Sequence, residues 1–336
     1  MNQKLKHVLG YAVLVLTLLV LLFLPLPVYL DSPGAAQDVS SYVKVNGQKD
    51  KQPGQFMLVY IKQAKATPLS WALSFTNKYA TRTSAKEEVG DYSDREMAKI
   101  QNYYMSSSVA EAKYQSLSLA HQKVKRQYLG MYVMSVLKKS NFAGNLKVGD
   151  VVNKVAGKSY SSSAAYMRAL QQMPPRKDVT IEYQRGRKQG QAHGRLIKLP
   201  QTKRYGLGIT LTDRVKTISS VPITANMQGI GGPSAGLMLT LQMYSQLTQQ
   251  DLLKGRKIAG TGTIEADGHV GQIGGVEQKV VAASRAKASI FFVPNDPQLK
   301  KDNNYQAALK TAHQLKTKLK VVPVSNVSQA VNYLKN

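Results

Sequence analysis

Between Val8 and Leu30 the chain runs 23 residues without a charge, rich in leucine and valine. About 20 apolar residues cross the hydrocarbon of a bilayer as a helix, so the run predicts a transmembrane anchor over 8–30. Lys4 and Lys6 precede it, and the next basic residue is Lys44. By the positive-inside rule the tail 1–7 is expected in the cytoplasm and residues 31–336 outside the membrane. A cleaved signal peptide is the competing reading, because Gly34-Ala35-Ala36 offers small residues for cleavage. The run is long for a signal-peptide core, which favours a retained anchor. Under either reading the body of the protein is extracytoplasmic.

That placement changes what the charge means. With 46 Lys+Arg against 19 Asp+Glu the formal net charge is +27, which by itself points to nucleic acid. The charge is spread along the chain, at +5, +10 and +10 over 31–127, 128–200 and 201–336, with only short runs such as Arg185-Gly186-Arg187-Lys188. A nucleic-acid arm would concentrate charge and interleave aromatic residues. The expected surface is a solvated basic one facing anionic lipid or wall polymers, with no nucleic-acid partner. The 336 residues, 43% of them hydrophobic, suit about two folded domains. The absence of cysteine excludes disulfides, thiolate metal sites and a cysteine nucleophile. The five histidines (His7, His121, His193, His269 and His313) form no ligand pair, and His-Glu-x-x-His does not occur. No metal and no cofactor is expected.

Past the anchor, 43–45 and 56–61 read as strands around a Pro53-Gly54 turn, and the stretch 93–125, without Pro or Gly, reads as a helix. We take 31–127 as a mixed strand and helix spacer packing on its neighbours. From 128 to 200 the punctuation is denser. Strands at 131–137, 151–155 and 179–183 surround a helix over 164–173 that ends at Pro174-Pro175. This order, with Leu146-Lys147-Val148-Gly149-Asp150-Val151-Val152, resembles a PDZ domain of the bacterial secreted-protease type. The resemblance puts Leu129, Gly130, Met131 and Tyr132 where the family's carboxylate-binding loop begins. It also implies a groove, between that strand and the helix near Ala164, that takes an extended peptide by strand addition. A small β-rich spacer without a peptide site is the alternative.

The region 201–336 carries the chemistry. Gly229-Ile230-Gly231-Gly232-Pro233-Ser234-Ala235-Gly236 leads into the apolar run 237–247, a buried helix entered from a glycine-rich loop. Ser234 then sits at or near a helix N-terminus, where free N–H groups and the dipole stabilise an alkoxide or oxyanion. An ordinary helix cap would look the same. Further on, 258–264 reads as a strand, Ala266-Asp267-Gly268 as a turn and 269–273 as its return, so that Glu265 and His269 are expected on a hairpin surface. After Gly274-Gly275, Val276, Lys279, Val280 and Ala283 share one helix face at i, i+3, i+4, i+7 spacing. A lysine in that apolar stripe either snorkels to solvent or is desolvated, and a desolvated amine loses its proton and can act as a base. Strands at 290–293 and 320–324 and helices over 305–318 and 328–334 complete an alternating α/β pattern.

The segments Gly232-Pro233-Ser234-Ala235-Gly236, Gly260-Thr261-Gly262-Thr263-Ile264 and Ile273-Gly274-Gly275-Val276-Glu277-Gln278-Lys279, in this order, closely resemble the proteolytic domain of Lon-type proteases, peptidase family S16. The resemblance implies Ser234 as nucleophile and Lys279 as general base. It assigns supporting roles to Gly232, Ala235 and Thr261, the last hydrogen-bonded to the lysine amine. The phosphate loop G-x-x-x-x-G-K-[ST] of the Lon ATPase is not found in this sequence. Anchor, PDZ-like domain and Lon-like domain together resemble the YlbL/SepM-like membrane-anchored PDZ–Lon proteases of Gram-positive bacteria. The expected chain is therefore α+β and multidomain, with a transmembrane helix, a β-rich PDZ-like domain at 128–200 and a Lon-type α/β domain at 201–336. The implied function is ATP-independent serine endopeptidase activity on peptides or exported proteins outside the cell, with a homo-oligomer possible. The alternative is a non-catalytic PDZ/Lon-like scaffold that binds extracytoplasmic peptides.

Overall fold

The structure is a computed structural model that describes residues 3–200, 204–299 and 303–336. Residues 1 and 2 of the expected cytoplasmic tail and 201–203 at the expected domain boundary lie outside these. The first helix, α1 (Gln3–Phe23), has no buried residue and is long and apolar enough to cross a membrane by length and composition. It is shorter at its C-terminal end than the uncharged run, because Pro25 and Pro27 follow and proline removes the donor and blocks the preceding turn. Val28–Leu30, expected at the end of the anchor, instead begin a strand.

That strand, β1 (Val28–Asp38), is followed by β2 (Val43–Val45), β3 (Gln55–Lys65), α2 (Pro68–Ser74), β4 (Thr81–Ser84), α3 (Ala85–Val89) and the long α4 (Asp94–Leu119). A second block comprises β5 (Val124–Val136), β6 (Val151–Val155), α5 (Ser163–Gln171), β7 (Asp178–Arg185), β8 (Lys188–Arg195), β9 (Ile197–Lys198), β10 (Tyr205–Gly206) and β11 (Ile209–Ser219). Then come β12 (Ile223–Ala225), α6 (Gly236–Thr248), β13 (Lys257–Gly260), α7 (Val276–Arg285), β14 (Ile290–Pro294), α8 (Asn304–Gln314), β15 (Lys320–Val324) and α9 (Val327–Lys335).

Two sheets organise these elements. The larger has six strands in the order β15-β14-β13-β3-β1-β4. Its middle is parallel, with β13 between β14 and β3, and β1 and β4 are antiparallel additions. The stretch expected to be a spacer thus supplies three of the six strands. The unbroken apolar run Phe56-Met57-Leu58-Val59 is the sequence mark of a strand covered on both faces. Phe56 and Leu58 join the core on one face with α6 and α9, while Met57 and Val59 join the core on the other face with α7 and α8. The expected strand 258–264 is confined to β13. Gly262 adopts φ +152°, and its N–H turns away to the Ser234 carbonyl at 2.9 Å, so the ladder stops.

The second sheet, β11-β5-β6-β7-β8, has a separate core around Val133, Phe142, Val152, Tyr166 and Ile181. Asp150, 1% exposed, is held there by Arg185 Nε at 2.7 Å and itself accepts from the Lys147 N–H at 2.8 Å. Helix α4 packs against both α6 and β11 and so joins the two sheets.

Candidate active site

Parallel strands present their C-terminal ends to the loops that follow, and open α/β sheets bind ligands there. At the end of β13 the chain leaves the sheet at Thr261, which is fully buried. The Ser234 loop enters α6 on one face of the sheet and Lys279 lies on α7 against the other. Thr261 joins them: its Oγ1 donates to the Ser234 carbonyl at 3.2 Å and accepts from Lys279 Nζ at 3.3 Å.

Lys279 does not snorkel. It is 4% exposed, alongside buried Val276, Val280 and Ala283 on the same face of α7. Burial penalises the ammonium and pushes the amine pKa down from 10.5 to about 7. The amine hydrogen bond goes to Thr261 and not to Ser234 Oγ.

Ser234 stands one residue before Ala235, which caps α6 through its backbone and offers no side-chain cap bond. The serine is therefore not spent as a helix cap. Among the described residues the N–H groups of Ser234 and Ala235 make no hydrogen bond. They lie at the positive end of a 13-residue helix. Gly232 has φ +82°, which L residues with a side chain rarely adopt, and a Cβ on Gly236 would lie 2.6 Å from Ile264 Cγ2. These glycines let the loop turn and close on the segment after β13.

Helix α4, which sequence periodicity left without a role, holds the loop from behind. Gly232 N–H donates to the Gln101 carbonyl at 3.1 Å, and Ser108 Oγ donates to the Pro233 carbonyl at 3.0 Å. The buried face of α4 includes Ser108, Glu111, Gln115 and Ser116, so hydropathy could not reveal it. On the other wall, Asn304 at the start of α8 pins the approach to Gly274. Its Oδ1 accepts from Ile273 N–H at 2.7 Å, and its own N–H donates to Gln272 Oε1 at 2.8 Å. Ser234 and Lys279 line one cleft of about 950 Å³, together with Tyr60, Ile61 and Gly275. Glu265 and His269 are exposed and outside it.

The residues Leu129, Gly130, Met131 and Tyr132 are far from forming a free loop. They lie inside β5, where Gly130, Met131 and Tyr132 pair with Arg214, Asp213 and Thr212 of β11, and Met131 also faces Val152 of β6. The edge expected to receive a peptide already carries a strand of the same chain.

Residues 195–335 match the Lon protease (S16) C-terminal proteolytic domain, and residues 115–193 match the PDZ domain family. Similar curated proteins include the Lon protease of Rickettsia bellii, 21% identical over 84% of this chain and 34% of its own length. The Lon protease of the aster yellows witches'-broom phytoplasma is 32% identical over 29% of this chain and 11% of its own length. That of Mycolicibacterium smegmatis is 42% identical over 20% and 9%. The chain thus spans about a third or less of these relatives. Among solved structures, the PDZ domain of an SdrC-like protein from Listeria monocytogenes is 32% identical over 24% of this chain and 86% of its own, with a TM-score of 0.24. The chain therefore carries a PDZ domain followed by a proteolytic domain of the Lon (S16) type.

Proposed function

We propose that the chain is a membrane-anchored serine endopeptidase, independent of ATP, that cuts peptides or exported proteins outside the cell with Ser234 as nucleophile and Lys279 as general base. The observation that carries this reading is the buried amine. A lysine with its pKa near 7, in the same cleft as a serine at a helix N-terminus, can accept the hydroxyl proton at physiological pH.

Strand β3 runs on beyond Leu58, the last residue it pairs with β13, and its Tyr60 and Ile61 line the cleft. An extended substrate backbone laid along this stretch passes the Ser234 loop. Once Oγ and Nζ close to about 2.6–3.2 Å, Lys279 takes the Ser234 proton and Oγ attacks the scissile carbonyl. The N–H groups of Ser234 and Ala235 receive the oxyanion. The ammonium of Lys279 returns its proton to the leaving amine as the C–N bond breaks. Water then gives a proton to Lys279 and attacks the acyl-enzyme, and Ser234 recovers its proton as the acid departs. Thr261 keeps the amine in place between the two faces of the sheet.

The anchor reading gains support from β1. Gly34-Ala35-Ala36, the candidate cleavage site, falls within β1, where Pro33 pairs with Ile61 and Ala36 with Val59. Cutting there would separate residues 28–33, which pair with both β3 and β4, from the rest of the sheet. Ser234→Ala tests the function: the purified chain should lose hydrolysis of an unfolded protein substrate while its melting temperature stays unchanged. Retained hydrolysis would sink the proposal.

A further inference from the structure

In peptide recognition by strand addition, a ligand backbone pairs with an exposed sheet edge and its alternate side chains enter pockets. The edge of β5 beside helix α5 has this form, and β11 occupies it. Residues 209–214 run antiparallel to 130–136, and α5 packs over β10 and β11. Leu207, 3% exposed, belongs to the core of this domain, and half-buried Ile209 and Leu211 pack on it at alternate positions. The Leu207 carbonyl accepts from Ser140 Oγ at 2.6 Å, and the Gly208 carbonyl accepts from Leu137 N–H at 2.8 Å. Asp213 Oδ1 accepts from the N–H of Ser163 at the start of α5, at 2.7 Å. Residues 205–213 thus make the backbone, pocket and end contacts of a bound peptide.

We propose that residues 205–213 are an intramolecular ligand of the PDZ groove, and that an extended peptide with apolar side chains at alternate positions binds there by displacing them. Three features make this segment releasable. Apart from Gly206, Leu207 and Gly208 the segment has no buried residue, whereas β5 buries Met131, Val133 and Met134. The ladder is interrupted between Thr210 and Leu211 and again between Arg214 and Val215. The second break separates the groove half from a stem, 215–219, which Thr217 Oγ1 ties to the Ala110 carbonyl of α4 at 2.5 Å. The occupant also fits imperfectly. Among the described residues the buried hydroxyls of Tyr128 on β5 and Tyr166 on α5 have no hydrogen-bond partner. A peptide bringing a polar side chain to these hydroxyls gains over β11, since an unpaired buried hydroxyl is costly.

The test uses the full chain in detergent and, as probe, a fluorescein-labelled, amidated peptide of sequence Tyr205–Arg214, followed by anisotropy. L207S/L211S weakens the internal ligand and should bind the probe at least tenfold more tightly than the wild type. Ser135 and Thr210 pair directly, with their side-chain oxygens 2.8 Å apart, and the chain has no cysteine. S135C/T210C added to L207S/L211S therefore gives one defined bridge on oxidation. The reduced form should bind and the oxidised form should not. Equal binding by the two forms, or no gain over wild type in the reduced form, overturns the proposal. If circular dichroism shows that L207S/L211S does not fold, S135C/T210C alone decides. Amide exchange at 209–213 should slow at least tenfold on oxidation, and an unchanged rate overturns the proposal. Neither readout involves hydrolysis, so failure here is distinct from failure of the Ser234–Lys279 assignment.

Discussion

Lys279→Met replaces the buried amine with an apolar side chain of similar length, and its effect follows from the burial. Unfolded, the lysine titrates at 10.5; folded, at about 7. Between these values the unfolded chain holds a proton that the folded chain has released, so this group lowers stability, and stability rises with pH across the window. The penalty is complete below pH 7 and vanishes as pH approaches 10.5. A displacement of this size corresponds to about 4–5 kcal/mol at pH 7, as an order of magnitude. With the site 4% exposed, solvent screening takes little from it. Lys279→Met should therefore abolish hydrolysis and yet raise the melting temperature by roughly 10 °C at pH 7. Near pH 10 the gain should shrink to roughly 2 °C. Scanning calorimetry of wild type and variant from pH 6 to 10 measures this directly. A variant no more stable than wild type at pH 7, or a gain that fails to narrow toward pH 10, would refute the desolvated-base argument.

Other outcomes follow from the same geometry. Hydrolysis by the wild type should rise with pH through about 7 and level off above it, as the amine becomes neutral; an acidic optimum in kcat/KM would contradict the assignment. Thr261→Val removes the hydroxyl that receives the Lys279 hydrogen bond and should lower kcat by roughly 100-fold with little change in KM. Thr261→Ser should restore most of that loss, which a purely packing role for the side chain would not produce. Gly236→Ala forces a Cβ to within 2.6 Å of Ile264 Cγ2 and 2.9 Å of its N atom, at a cost of about 1–3 kcal/mol, readable as a lower melting temperature.

Much of the candidate site was legible along the chain because its parts are local. The glycine-rich loop before an apolar helix announced Ser234, and the i, i+3, i+4, i+7 stripe of α7 marked Lys279 as out of place among hydrophobic residues. The strands and helices after Gly236 were likewise visible as regular hydrophobic periods, except that 269–273, read as a returning strand, forms none. Sequence left open whether Lys279 snorkels or is buried, because exposure depends on what packs over the helix. The sheet core beneath α7, with Met57 and Val59 drawn from far earlier in the chain, closes that face.

Pairing between distant segments escaped the sequence for the same reason. Nothing local to 55–65 says that it lies beside β13, and nothing local to 209–219 says that it lies on β5. A polar helix such as α4 shows its buried face only once Gln101 and Ser108 are seen holding the loop before Ser234. By itself the sequence determined the residue types, the apolar N-terminal run and the local turns, since these depend on neighbours within a few positions. Tertiary structure alone decided that the amine is dry, that Thr261 joins two faces of one sheet and that β11 lies along β5. Desolvation and strand pairing are set by residues tens to hundreds of positions away.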